Sequence, residues 1–168
     1  MPEPATAAAR LVSGAPRFFL HVLFFLLALT SAGLSAPGRA ADEIARHSAQ
    51  GSYEDVKDAV AAAIEAKGLV IDRVAHVGDM LERTAKDVGA TRRLYGEAEV
   101  LEFCSARISR VMMEADPHQL AFCPYTIAVY TLPGTPGTVY VSYRKPPRAP
   151  GMDGVHTLLE EIVREALR

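Results

Sequence analysis

Cys104, Met112, Met113, His118 and Cys123 fall within twenty residues of one another. Sulfur donors with a single imidazole make a soft set that suits Cu(I) or zinc. Met112 falls on the apolar stripe of its expected helix, so packing explains it first. The candidate metal ligands are therefore Cys104, Met113, His118 and Cys123. The spacing matches no metal signature: there is no C-x-x-C and no histidine pair at i, i+4. The same absence removes covalent haem attachment and a thioredoxin-like motif.

Cys104 and Cys123 are the only cysteines, and an even count in an oxidising setting suggests a disulfide. Closing the 18-residue loop between them would contribute about 3 kcal/mol in the chain-entropy model. Topology decides whether it can close. If the strands that carry the two residues run antiparallel, both sulfurs lie at one end of the sheet. If the strands are parallel, the sulfurs lie at opposite ends, beyond the reach of a disulfide. A third use is two buried thiols acting as small apolar residues.

His76 is a candidate ligand or proton site at the end of an element. Glu97, Glu99 and Glu102 read as the wet face of a strand. Nucleophile-elbow, P-loop and dinucleotide-binding motifs are absent, and no residue is assigned a catalytic role.

These groups need elements to hold them. Ser52 can cap a helix whose apolar face is Tyr53, Val56, Val60, Ala63 and Ile64, and Gly68 ends it. Leu69–Val77 reads as a strand. Gly78-Asp79 can cap a second helix, with Met80, Leu81, Thr84 and Val88 on one side. Glu97–Cys104 reads as a strand whose alternation breaks near Val100-Leu101. Ser105 caps a helix through Glu114 with a buried stripe of Ile108, Val111 and Met112, and Asp116-Pro117 stops it. Tyr125–Leu132 and Thr138–Arg144 flank a Pro/Gly-rich turn and form a hairpin. Residues 146–151 are a stiff linker to a last helix striped by Val155, Leu158, Leu159, Ile162, Ala166 and Leu167. A first strand would fall at Glu43–Ala49. The order implies an α/β (α+β) fold: a single small mixed sheet covered by helices, with a C-terminal hairpin and a terminal helix.

Residues 1–17 carry Arg10 and Arg17, residues 18–29 are almost wholly apolar, and small residues follow to Ala41. This is the pattern of a secretory signal peptide cleaved after Ala40. The alternative is an uncleaved membrane anchor over 18–36. The organisation is then a signal peptide over 1–40, a domain over 41–150 and a C-terminal amphipathic helix over 151–168 packed on it. The destination is periplasmic or secreted. Cleavage removes Arg10, Arg17, Arg39 and Glu3, taking the net charge from −2 to about −4. An acidic domain without a basic run is a poor nucleic-acid binder.

Several segments resemble the domain of unknown function 302 family. Ser52-Tyr53-Glu54-Asp55-Val56 is similar to its opening helix, and Lys67-Gly68-Leu69-Val70-Ile71 to its helix-to-strand joint. His76 falls where the family often has a histidine. Cys123-Pro124 and the apolar run to Val129-Tyr130 resemble its Leu-Pro strand start. The stretch from Gly137 to Tyr143 resembles its final strand. The likeness covers about 44–145. It departs at Phe103-Cys104-Ser105-Ala106, where the family has a Phe-Gly-Asn-Pro turn, and at Cys123, where it has leucine. Both cysteines thus stand outside the family pattern. The resemblance implies a compact α/β fold, allows a homodimer, and brings no known reaction.

The residues point to an exported, non-enzymatic binding or accessory module with a small ligand or a protein as partner. The alternative is a thiol- or soft-metal-dependent redox or copper-handling protein using Cys104, Cys123 and His118. The distance between the two sulfurs separates them.

Overall fold

A computed structural model describes residues 43–168. The signal segment, its cleavage point and the anchor alternative lie outside the described residues. The elements are β1 (Ile44–Gln50), α1 (Tyr53–Ala66), β2 (Ile71–Ala75), α2 (Val77–Thr84), β3 (Ala98–Phe103), α3 (Ala106–Ala115), a 3-10 helix (Pro117–Phe122), β4 (Tyr125–Thr131), β5 (Thr138–Arg144) and α4 (Asp153–Ala166). The strands form one sheet in the order β1-β5-β4-β3-β2. All four pairings are antiparallel. The fold is the expected mixed α/β class, with a single sheet, a C-terminal hairpin and a last helix.

The core lies between one face of this sheet and the helices. Period-two alternation turns Leu101 and Phe103, Tyr125, Ile127 and Val129, and Val139, Val141 and Tyr143 to that face, where all are buried. Tyr53, Val56, Val60, Ala63 and Ile64 of α1 meet them, as their 3.6-residue spacing requires. The Ser52 hydroxyl accepts from Asp55 N–H at 3.1 Å and starts the helix. Gly68 ends it at a φ of 73°, a conformation that costs glycine nothing. From α4 come Val155, Leu158, Leu159, Ile162 and Val163. Tyr143 Oη donates to Glu160 at 2.6 Å, and Lys67 Nζ reaches Glu161 and Glu165 at 3.2 and 3.1 Å. These contacts tie α4 to β5 and to the end of α1.

Three local expectations fail. The second helix begins at Val77, with His76 in the cap position. A side chain on Gly78 would lie 2.9 Å from the Ala98 backbone nitrogen, so Gly78 is needed for close approach to β3 rather than for capping. None of α2's residues is buried. Val111 is 56% exposed, while its neighbour Met112 is fully buried. Finally, β3 pairs with β4 in unbroken register from Ala98 to Phe103. Without a break at Val100-Leu101, Glu99 shares the helix-covered face with Leu101 and Phe103, and Glu102 points the other way.

The opposite sheet face carries Arg46, Ser142, Ala128 and Val100 in one cross-strand row and Ser48, Tyr140, Tyr130 and Ala98 in the next. Tyr130 stacks on Tyr140, and Tyr95 meets Tyr130 edge-on. No helix among the described residues is long and apolar enough to cross a membrane.

Candidate functional site: a close cysteine pair

Cys104 follows the last residue of β3, and Cys123 stands two residues before β4. The register closes on Phe103 opposite Tyr125, so both cysteines extend past the same end of an antiparallel pair. The chain between them leaves along α3, started by the Ser105 hydroxyl, which accepts from Ile108 N–H at 3.4 Å. It then turns back through the 3-10 helix. Asp116 caps that turn by accepting from His118 N–H at 2.9 Å, and Cys123 N–H closes it on the Leu120 carbonyl at 3.0 Å. The 3-10 helix was not legible as an element, yet it returns the chain to its starting end.

The two Sγ atoms lie 3.5 Å apart, with the Cys104 thiol donating to Cys123. Both thiols are free and half-buried. The Ser109 hydroxyl sits 3.2 Å from the Cys123 sulfur and 2.9 Å from the Tyr125 hydroxyl. Burial and the neighbouring Cys123 push the Cys104 thiol up to about 11. Burial also raises Tyr125, against the opposing pull of its bond to Ser109. The pair opens on a surface cavity of about 530 Å³, walled by Leu69, Val70, Asp72, Ala106 and Met113. Such a pair can give up two electrons and two protons to an external disulfide and close as one S–S bond after a movement of about 1.5 Å, since a disulfide spans about 2.05 Å.

Of the four candidate metal ligands, Cys104, Met113 and Cys123 line this cavity. His118 does not; it is exposed on the 3-10 helix. Among the described residues, no group of three or more His, Cys, Asp or Glu side chains is placed to hold a metal.

His76 finds a partner that the sequence pattern misplaced. Its Nδ1 lies 2.7 Å from Glu99 Oε1, and Lys57 Nζ lies 3.5 Å from Glu99 Oε2. Lys57 also pairs with Glu54 at 2.6 Å, and that contact is the main cause of its raised pKa. The Tyr53 hydroxyl is buried beside Glu99, with no partner in good hydrogen-bond geometry. Burial, then the Glu99 charge, pushes it far above the phenol range. Glu99 is thus no solvated strand-face acid: its side chain is 16% exposed, against 60% for His76. One edge of the imidazole faces Glu99, and its outer edge is open to water.

The family model for a domain of unknown function, DUF302, matches residues 44–168. The chain belongs to the DUF302 family. The match runs through α4 to the last residue, beyond the limit near 145 that the sequence motifs marked. A crystal structure of an uncharacterized conserved DUF302 protein from Bacillus stearothermophilus has a similar fold, with a TM-score of 0.57 at 14% identity. The alignment covers 74% of this chain and 95% of that one. No curated protein matches.

Proposed function

We propose that this DUF302 chain works outside the cytoplasm as a small non-enzymatic module whose working group is the Cys104–Cys123 pair, switching between dithiol and disulfide. The 3.5 Å sulfur separation carries this reading. In the switch, both thiols lose their hydrogens, one S–S bond forms, and a disulfide of a partner molecule takes up the two electrons and two protons and leaves as two thiols. The raised pKa of Cys104 makes that sulfur a slow attacking group at neutral pH. Export rests on the apolar segment 18–29 and the small residues after it, and an oxidising compartment is where such a pair would close.

The test is to express the full chain in a bacterium, recover the periplasmic fraction and count thiols by mass after alkylation, with and without reductant. A product beginning near Ala41 with two thiols only after reduction supports the proposal. Two alkylated thiols in both samples would remove the switch, and full-length chain in the membrane fraction would remove the export.

A second reading, a ligand-binding module, draws on the open sheet face. A cavity of about 490 Å³ there is lined by Arg46, Tyr95, Ala98, Ala128, Tyr130 and Ser142 among others. Arg46 makes no ion pair among the described residues. Tyrosine rings beside an unpaired guanidinium suit a flat aromatic carboxylate. A thermal shift with such acids that is lost in Arg46→Ala supports this reading; no shift with any of them sets it aside.

A further inference from the structure

We propose that the reduced cysteine pair is a binding site for one monovalent copper ion, with Cys104, Cys123 and Met113 as its ligands. The inference rests on the reading of Cys104 and Cys123 as a reversible dithiol and names the ion that its reduced state takes.

Helix α3 supplies the third sulfur. Ser109 and Met113 are four residues apart, so they stand one above the other on a single helix face. Ser109 is fixed against the Cys123 sulfur at 3.2 Å, which turns that face toward the thiols. Met113 is the next position along it, and both residues line the cavity that holds Cys104 and Cys123. Met112, one position away, is fully buried in the core, which divides the two adjacent methionines between packing and the cavity.

The donor set selects the metal. Two thiolates and a thioether are soft ligands, and such sets favour Cu(I). Zinc is served poorly, because its structural sites take four N, S or O ligands. His118 does not line the cavity, and although Asp72 does, no His, Asp or Glu among the described residues joins the cysteines in a group that could hold a metal. Binding replaces two S–H protons by one Cu⁺, so the site ends one unit more negative and two protons go to solvent. No electron is transferred. Disulfide formation and copper binding use the same two sulfurs and exclude each other.

The test uses the mature chain, reduced and held without oxygen, and titrated with Cu(I) against a chromophoric Cu(I) chelator. One ion per chain should be withdrawn from the chelator, with thiolate-to-copper charge-transfer absorption in the ultraviolet. Cys104→Ser and Cys123→Ser should each abolish that absorption, with circular dichroism confirming that the variants are folded. Met113→Leu should weaken binding on the order of tenfold or more, since even groups behind a ligand cost that much when removed. His118→Ala should leave it unchanged. No copper retained, with disulfide formation once the same protein is moved to an oxidised-glutathione buffer, would overturn the copper site and leave the dithiol switch standing. Copper retained by a protein that never forms the disulfide would do the reverse. Full affinity in Met113→Leu, or its loss in His118→Ala, would overturn the ligand set.

Discussion

Strand β3 carries chemistry at both ends, and the two ends differ in what surrounds it. At one end Cys104 meets Cys123 at 3.5 Å, half-buried, with the Ser109 hydroxyl 3.2 Å from the Cys123 sulfur and Tyr125 close by. At the other, Glu99 meets His76 and Lys57, and the His76 side chain is 60% exposed. At the charged end Glu99 already has two partners, and the contact with the exposed His76 stands in water and contributes little. The thiol end is satisfied only weakly, because a thiol is a poor donor and a poor acceptor. A new covalent bond or a soft metal therefore improves on the contacts at the thiol end, whereas Glu99 already holds two partners at the charged end.

The core that supports both ends gives the largest effect. Leu159 is 3% exposed in the packed face of α4, so Leu159→Ala should cost about 2–5 kcal/mol. Chemical denaturation should show that loss in oxidised and reduced protein alike. A change below about 1 kcal/mol would mean that α4 adds little to the shared core, and the two ends would then have to be compared without it.

The cysteine end comes next. Once the pair has been oxidised, reducing it should lower stability by about 2–4 kcal/mol, as expected for a closed loop of this length. Equal denaturation midpoints with and without reductant would put the cysteine end on a par with the charged end. In the reduced protein, alkylation of Cys104 should rise with pH to a midpoint near 11. At neutral pH it should run about a hundredfold slower than for an ordinary thiol, in proportion to the missing thiolate. The folded-state pKa is raised, so the unfolded chain gives up this proton first. Stability of the reduced form is then fully present below about pH 9 and declines as pH rises toward about 11. A midpoint near that of a free thiol would show that burial does not shield Cys104.

The smallest effect belongs to the charged end. Glu99→Gln should cost about 1 kcal/mol, because its nearer partner His76 is largely in water although Glu99 itself is not. A larger loss would mean that the buried Tyr53 hydroxyl depends on the Glu99 carboxylate, and that end would hold a structural network in place of a surface pair.

Much of the fold was legible because packing and periodicity act locally. The α1 face from Tyr53 to Ile64, the β4–β5 hairpin and the stripe of α4 each announce themselves by spacing alone. The cysteines could be named from the sequence, but their meeting could not, because it depends on a 3-10 helix of six residues, too short to leave a periodic trace. Glu99 was misassigned for a related reason. Three glutamates among apolar residues look like a wet face, whereas an unbroken register with β4 fixes the side of each residue and turns Glu99 inward. His118 stood near the cysteines in sequence, but the 3-10 helix leaves it exposed at the surface.

The most direct measurement is a redox titration of the purified protein, equilibrated in thiol–disulfide buffers of graded potential, trapped by alkylation and read by intact mass. A single two-electron transition that converts both thiols together, and that vanishes in Cys104→Ser and in Cys123→Ser, is the expected result. Two thiols that stay free in the most oxidising buffer, while the fold is intact, would contradict the central role given to this pair.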